Sequence, residues 1–216
     1  MQDWSRLRHE MVVNQLMRRG IRNPRVLDAM ESVPRHEFVP EPYRQQSYED
    51  EPAPIGCGQT ISQPYMVAAM AEALDLSGDE KILEVGAGSG YAAAVMAELS
   101  TPVFTIEREP DLVTFARENL SRTGYAGRVT VVAGDGTLGY PAEAPFQAIS
   151  VAAGAPDVPY PLLDQLDLAG GRLVIPVGSA RDQELRLIRK SDGRIDSKVI
   201  TYCRFVPLQG EQGWRS

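Results

Sequence analysis

The stretch KILEVGAGSGYAAAVMAELS, residues 81–100, decides the fold of this 216-residue chain. It begins with a short apolar run that ends at Gly86, which is typical of a buried strand. It ends in an alanine-rich segment that favours a helix. Between them, Gly86, Gly88 and Gly90 permit positive φ and close backbone approach, and the following helix offers free N–H groups. The stretch therefore predicts a strand, a glycine turn suited to a ligand, and a helix.

The same alternation continues toward the C-terminus. Apolar runs at 103–107, 128–135, 146–154 and 172–178 are separated by helical patterns, and the turn signal SDGR (191–194) joins two further strands. Strands that alternate with helices predict a parallel sheet with helices on both faces. We therefore expect an α/β fold, a Rossmann-like, doubly wound and mostly parallel seven-stranded sheet with a C-terminal antiparallel hairpin. Ligands should bind at the carboxyl ends of the strands.

Upstream of residue 81 the sequence predicts a helical extension. Two helices are expected before Pro34, the second capped by Asn23, and a third from about Gln63 to Leu74. The segment GCGQTISQPYM (56–66) lies before this third helix and is rich in turn residues. We expect one domain over 1–216, with N-terminal helices and an arm at 1–75, a cofactor-binding core at 76–180 and hairpin strands at 181–216.

Composition limits the classes of function. The net charge of −7 argues against a nucleic-acid partner, because affinity for phosphates comes mostly from Lys and Arg. No apolar window approaches the ~18 residues that a membrane span needs, and charges run through the N-terminus. Cys57 and Cys203 make no disulfide framework, which fits a reducing cytoplasm. We expect a monomeric, cytoplasmic protein without a metal site, a membrane anchor or a nucleic-acid partner.

The glycine turn by itself is weak evidence for a cofactor, because such loops also occur as tight connections between strand and helix. Its spacing is G-x-G-x-G, and Tyr91 stands where a dinucleotide fingerprint would have its third glycine. Glu84 lies two residues before the first glycine, where a carboxylate is unfavourable beside a pyrophosphate and favourable beside a cation. The turn therefore indicates a positively charged ligand.

Two further acids follow the next two strands. Glu107 is placed to accept both hydroxyls of a ribose, and Asp135 is placed to reach an adenine ring. Any one of these acids is often only a solvated carboxylate at a strand end. Three acids at consecutive strand ends describe a ligand with a ribose, a base and a positive charge but no phosphate, and S-adenosylmethionine fits this description.

The sequence resembles a known family at these residues. LEVGAGSGY, FTIER, GDGTLGYPAEAPFQAISVAAGAP and GGRLVIPVG match successive motifs of class I S-adenosylmethionine-dependent methyltransferases. PIGCGQTISQPYM, RFVPL and the N-terminal RGIRNPRVLDAMESVPRHEFVP resemble the protein-L-isoaspartate (D-aspartate) O-methyltransferase family over nearly the whole chain. The resemblance implies methyl transfer to the free carboxylate of L-isoaspartyl residues in damaged proteins and peptides, with S-adenosyl-L-homocysteine as product and a succinimide as the route to repair.

The resemblance also implies roles for individual residues. Ser62 matches the active-site serine that helps to orient the substrate carboxylate. A serine before QPYM is otherwise typical of a helix N-cap, and both roles together are possible. The implied cofactor contacts are Ile55, Gly56, Cys57, Gly58, Met66, Val85, Gly86, Ala87, Gly88, Ser89, Glu107, Arg108, Asp135, Gly136 and Gln209. The acid before the glycine turn, Glu84, is added to this set as a cofactor contact. The chain departs from the family pattern at Cys57, Gln147 and Ala152, where an aromatic residue, Asp and Thr are common.

The implied reaction explains why the sequence shows no acid–base constellation. A substrate carboxylate is already ionised at neutral pH, and the methyl group leaves a neutral thioether, so neither a general base nor a general acid is required. Catalysis then depends on positioning and on exclusion of water.

Three other readings stay open at this level. The first is a relative that methylates an ordinary aspartate or another carboxylate of a dedicated partner. The second is a nucleoside-binding module without activity, and the third is a nucleic-acid methyltransferase. The last is disfavoured by the acidic charge and by the sequence SVAAGAP on the fourth strand, which lacks the expected Asn/Asp-Pro-Pro-Tyr type of motif.

Overall fold

The protein was analysed as a computed structural model that describes residues 2–214. The N-terminal extension holds α1 (Trp4–Met11), which continues as a π-helix over Val12–Met17, and α2 (Pro24–Ser32). Asn23 caps α2 as predicted, because its side-chain oxygen accepts the N–H of Arg25 at 3.0 Å. Two 3₁₀ turns follow, at Arg35–Phe38 and Glu41–Gln46.

The predicted arm is a hairpin. β1 (Ala53–Gly56) and β2 (Gln59–Ile61) pair antiparallel, and α3 (Pro64–Leu74) follows directly. The turn between the strands has positive φ at Gly56, Cys57 and Gly58, which is the conformation of a tight hairpin turn. The sequence indicated the turn chemistry but not the pairing, because neither strand is long enough to show a period of two.

The main sheet has seven strands, in the order β5-β4-β3-β6-β7-β8-β9. Its elements are β3 (Ile82–Val85), α4 (Tyr91–Leu99), β4 (Val103–Glu107), α5 (Pro110–Arg122), β5 (Val129–Ala133), β6 (Ala148–Val151), α6 (Tyr160–Asp164), β7 (Ala169–Gly178), β8 (Gln183–Ser191) and β9 (Arg194–Cys203). The first five strands in chain order are parallel, whereas β7–β8 and β8–β9 are antiparallel. The predicted fold class is confirmed, while the boundaries at 75/76 and 180/181 stay predictions.

The strand order places the site. The chain passes from β3 outward to β5 and then returns to pair β6 with the other side of β3. The order thus reverses between β3 and β6, and ligands of open α/β sheets bind at the carboxyl ends of strands at such a switch point. β3 is buried along its whole length, with Ile82 in the core on one face of the sheet and Leu83 in the core on the other.

One predicted element was too long. The sequence YPLLDQLDLAGG (160–171) has a helical pattern, which predicts a helix over its whole length. In the structure α6 ends at Asp164, and β7 already begins at Ala169. The intervening chain is recruited to the sheet edge, because the N–H of Asp167 donates to the carbonyl of Phe146 at 2.9 Å and Leu166 bridges the same residue. Within the described ranges, no helix combines the length and the hydropathy of a membrane span.

Candidate cofactor and substrate site

A cleft opens at the carboxyl ends of β3, β4 and β6. It holds about 860 Å³ of empty space, a volume that includes its open mouth. Many predicted site residues line it: Ser62, Glu84, Val85, Gly86, Ala87, Gly88, Ser89, Glu107, Arg108, Gly136 and Gln209. Ile55, Gly56, Cys57, Gly58, Met66 and Asp135 are not among its lining residues.

The glycine turn follows β3 and forms one wall of the cleft. Gly88 has a φ of +51°, and a side chain on it would lie 3.1 Å from Cδ1 of Ile55. Glycine is therefore required at this position both by conformation and by the approach of β1. At Gly136, a Cβ would lie 2.5 Å from Cγ1 of Val85, so the loop after β5 also approaches the turn closely.

Glu107, at the end of β4, ties this wall together. Its Oε2 accepts the N–H of Gly88 at 2.9 Å. Its Oε1 accepts the N–H groups of Arg108 and Glu109 at 2.8 and 3.1 Å. These three N–H groups use three of about four lone-pair positions of the carboxylate, so one position on Oε2 is left. The carboxylate faces the cleft with a fixed orientation, which suits it to accept a ribose hydroxyl.

Glu84 is a buried acid at the floor of the cleft. Its side chain is only 1% exposed, and its Oε2 accepts the hydroxyl of Thr105 at 2.5 Å. Burial raises the pKa of Glu84 to about 8 against the opposing hydrogen bond from Thr105, and the negative charge of Glu107 adds to the rise. Without a bound cation this carboxyl is therefore mostly protonated at neutral pH.

The side chain of Asp135 binds other residues of the protein and does not line the cleft. Its Oδ1 accepts the N–H and the hydroxyl of Thr137 at 2.9 and 2.7 Å, and its Oδ2 accepts the N–H of Glu211 at 2.8 Å. Burial opposes the charged form, but these hydrogen bonds together lower the pKa of Asp135. The carboxylate thus anchors the C-terminal segment. The expected contact of Asp135 with an adenine ring stays a prediction.

The arm reaches the cleft through its second strand. Gln59, Thr60, Ile61 and Ser62 line the cleft, whereas Gly56, Cys57 and Gly58 form the exposed tip of the hairpin. Ile55 and Met66 are buried away from the lining, and Ile55 supports the glycine turn from behind. None of these five residues lines the cleft, because the hairpin turns the tip outward and Ile55 and Met66 are buried. Their cofactor contacts stay predictions.

Ser62 is not the cap of α3. Gln63 holds the N-cap position, and it makes no side-chain capping hydrogen bond. Within residues 2–214 the hydroxyl of Ser62 has no hydrogen-bond partner, while its carbonyl accepts from Arg35. The structure therefore favours the role of this hydroxyl in the cleft over the role of a helix cap.

The C-terminal segment returns to close the opposite side. Val206, Pro207 and Leu208 line the cleft next to Gln209. The carbonyl of Val206 accepts from Gly154 N–H, and Leu208 N–H donates to the carbonyl of Gly154, both at 2.8 Å. Buried Gln183 fixes the start of this segment, because its Oε1 accepts the N–H of Phe205 at 2.8 Å.

Sequence reasoning missed several lining residues. Ile106 and Tyr91 are neighbours of predicted positions, so contiguity along the chain could have indicated them. The motifs GCGQTISQPYM, SVAAGAP and RFVPL already contain the lining residues at 59–61, 152–153 and 206–208, although no cofactor contact was assigned to them. Val67, Ala92 and Glu109 had no local signal of their own.

The departures from the family pattern have defined surroundings. Gln147 lies outside the cleft lining; its Oε1 accepts the N–H of Lys81 at 2.9 Å and its Nε2 donates to Asp167 at 3.1 Å. Ala152 lies in the lining, and its Cβ is 3.6 Å from the place where Gly86 would carry a side chain. A larger residue at 152 would approach the glycine turn.

Three comparisons with known proteins agree with this geometry. A Marinobacter nauticus protein-L-isoaspartate O-methyltransferase is 57% identical and is covered over 97% of its length by 99% of this chain. A Hyperthermus butylicus protein of the same description is 53% identical, with 99% of this chain and 93% of its own length covered. A solved Plasmodium falciparum structure assigned to the same activity, in complex with S-adenosyl-L-homocysteine, is 28% identical with a TM-score of 0.81, over 97% of this chain and 99% of that one.

The strand order, the glycine turn and the two cleft carboxylates define a class I S-adenosylmethionine-dependent methyltransferase. The family model described as Protein-L-isoaspartate(D-aspartate) O-methyltransferase (PCMT) matches residues 7–213. The chain belongs to this family, and its cofactor is therefore S-adenosylmethionine.

The buried position of Glu84 predicts a pH dependence of stability. Because the folded pKa of about 8 lies above the ordinary value of 4.5, the folded state holds this proton more tightly than the unfolded state. The contribution is complete below the ordinary pKa and is lost as the pH rises through the folded one. Urea unfolding of the ligand-free protein should show the free energy of unfolding falling from about pH 5 to about pH 8 more steeply in wild type than in Glu84→Gln.

The control for this experiment is Glu118→Gln, which removes an exposed acid of α5. Its pH profile should run parallel to that of wild type. If Glu84→Gln also ran parallel to wild type, Glu84 would not hold the proton.

A second prediction concerns Glu107. Glu107→Ala should weaken binding of S-adenosyl-L-homocysteine about 10- to 100-fold, because charge-assisted hydrogen bonds worth roughly 1.5–3 kcal/mol are lost. Isothermal titration calorimetry measures the dissociation constant. Glu118→Ala, with the same change of charge, should bind like wild type, and an unchanged affinity of Glu107→Ala contradicts the ribose assignment.

Proposed function

We propose that this enzyme transfers a methyl group from S-adenosylmethionine to the free carboxylate of L-isoaspartyl residues in damaged proteins and peptides. One observation carries the proposal: Ser62, with a hydroxyl that is free of protein partners among the described residues, lines the same cleft as Glu84 and Glu107. A donor-binding wall and a group able to hold an acceptor therefore share one cavity. Descriptions of the relatives support this acceptor over an ordinary aspartate.

The residues of the cleft fit the cofactor. The turn at Gly86–Gly88 leaves backbone approach open, Glu107 presents an oriented carboxylate for a ribose, and Glu84 supplies a buried acid. When bound, S-adenosylmethionine supplies an activated methyl group on a positively charged sulfur. Such a cation favours the ionised form of Glu84. Cofactor binding should therefore release the proton that this carboxyl holds when no cation is bound.

The remaining task of the chain is to aim the acceptor. An isoaspartyl carboxylate is ionised at neutral pH and needs no base. The hydroxyl of Ser62 is placed to donate a hydrogen bond to one carboxylate oxygen, which leaves the other oxygen as the nucleophile. β2 on one side and the segment at 206–208 on the other restrict access of water to the reacting atoms.

The breadth of peptide substrates is explained by the same part of the cleft. The arm places the main chain of β2 next to Ser62. Hydrogen bonds to a main chain do not depend on side chains, so they allow many peptide sequences to bind. A role for the segment CRFVPL (203–208) in such contacts is part of this proposal. A succinimide step after release of the ester and the individual roles of the cleft residues are further parts of it.

We further propose that the enzyme acts as a monomer in the cytoplasm without a nucleic-acid partner. Cys57 and Cys203 are free, and the net charge is −7. Within residues 2–214, no group of three or more His, Cys, Asp and Glu side chains is arranged to hold a metal ion. Light scattering across a concentration series tests the monomer.

The activity is tested with a matched pair of peptides that differ only in an Asp or an isoAsp linkage. Incubation with labelled S-adenosylmethionine should label the isoAsp peptide at least about 100-fold faster, since a misplaced acceptor loses that factor in rate. Equal labelling of both peptides would support the relative that methylates ordinary carboxylates. Cofactor binding without labelling of either peptide would support a binding module.

A further prediction isolates Ser62. Ser62→Ala should lower kcat for the isoAsp peptide about 10-fold, because one hydrogen bond to the acceptor carboxylate is worth about 1.5 kcal/mol. The dissociation constant for S-adenosyl-L-homocysteine should stay within about twofold of wild type. Unchanged turnover would assign the serine no part in the reaction.

A further inference from the structure

A fully buried arginine lies under the arm. Arg35 opens the 3₁₀ turn at Arg35–Phe38 and is 0% exposed, the largest side chain in the protein with no contact to solvent. It belongs to the N-terminal extension and is not a lining residue of the cleft. Buried arginines are rare unless a partner or a function holds them.

Its contacts join the three parts of the chain that meet at the acceptor side of the site. Nη2 donates to the carbonyl of Ser62 at 2.8 Å, and Nε donates to the carbonyl of Ser47 at 2.6 Å. The guanidinium carbon lies 4.8 Å from the ring centre of Tyr91, the first residue of α4. Ser62 and Tyr91 both line the cleft, so Arg35, which does not line it, contacts two of its lining residues.

No ion pair within residues 2–214 includes Arg35, and its Nη1 has no hydrogen-bond partner. Asp50 acts on the charge of Arg35 from beyond ion-pair distance, and Asp50 is itself paired with Arg19. Burial lowers the pKa of Arg35, yet a guanidinium stays protonated in proteins. An unpaired buried charge costs free energy, and an apolar residue of similar volume is often more stabilising at such a place. Stability alone therefore does not explain this residue.

We propose that Arg35 is a positioning residue for the methyl acceptor: it fixes the peptide of Ser62 and gives the acceptor end of the cleft a buried positive charge that has no ion-pair partner. The inference rests on the proposed function. A clamp on the Ser62 carbonyl fixes the backbone from which the hydroxyl extends, and a positive charge behind that peptide favours the approach of an anionic carboxylate. The charge pattern is thus an acid at the donor end and a cation at the acceptor end.

The test uses the full chain with Arg35→Lys and Arg35→Met. Lysine keeps the charge and loses the fork that binds two carbonyls, whereas methionine loses both. We expect kcat for the isoAsp peptide to fall about 10- to 100-fold in both variants, since small misplacements at a reacting centre cost that much. The KM for the peptide should rise at least about threefold in Arg35→Met alone, since only this variant loses the charge. The dissociation constant for S-adenosyl-L-homocysteine should stay within about threefold of wild type, because the donor wall is intact.

Arg25→Met is the matched control. Arg25 also ties two carbonyls from distant elements, those of Leu76 and Leu99, but it lies outside the lining of the cleft. It should lose stability without a change in the peptide kinetics of the folded enzyme. The proposal is overturned if both Arg35 variants keep kcat within threefold of wild type, if cofactor affinity falls in the same proportion, or if Arg25→Met shows the same kinetic loss.

A second variant keeps the test decisive if Arg35 proves necessary for folding. Tyr91→Leu leaves Arg35 in place and removes the ring on which it stacks, so kcat for the isoAsp peptide should fall. Unchanged kcat in Tyr91→Leu then overturns the proposal. Failure of the proposed function is recognised separately, because in that case wild type itself does not label the isoAsp peptide.

Discussion

The hydrogen bond from the N–H of Gly88 to the carboxylate of Glu107 is the constraint on which the site depends. It joins the turn after β3 to the end of β4, so these two neighbouring strands present one continuous wall. Glycine is needed at 88 because of its positive φ and because Ile55 of the arm lies close to it. The hydrogen bond thus ties the turn to the acid, and the arm packs against the same glycine.

The electrostatic arrangement follows from burial. Burial at the floor of the cleft raises the pKa of Glu84, and the negative charge of Glu107 raises it further, so Glu84 is protonated when no cation is bound. A bound cation reverses this balance, so the site responds to the charge of its ligand as well as to its shape. At the other end, Arg35 is held among carbonyls and an aromatic ring instead of a carboxylate. The two ends of the cleft therefore differ in sign without any close ion pair between them.

The segments outside the α/β core complete the cleft. The N-terminal extension contributes Ser62 and the residues that support it, and the C-terminal segment returns to β6 through its hydrogen bonds with Gly154. Two side chains hold this C-terminal segment by accepting backbone hydrogen bonds: Gln183 accepts the N–H of Phe205, and Asp135 accepts the N–H of Glu211. The core alone is a scaffold shared by many methyltransferases, whereas these additions surround the place where the acceptor must lie.

The sequence by itself determined the strands, the glycine turn and the acids that follow β3 and β4, because each is written in local periodicity or in one short motif. It also determined the family, through motifs along nearly the whole chain. It did not determine that Asp135 binds the tail, that the hairpin tip turns away from the cleft, or that Arg35 lies beneath Ser62. Those facts depend on contacts between residues 76 and 27 positions apart in the chain, from Asp135 to Glu211 and from Arg35 to Ser62. Only the packed chain brings such residues together, since local patterns carry no information about which distant carbonyl or N–H a side chain will meet.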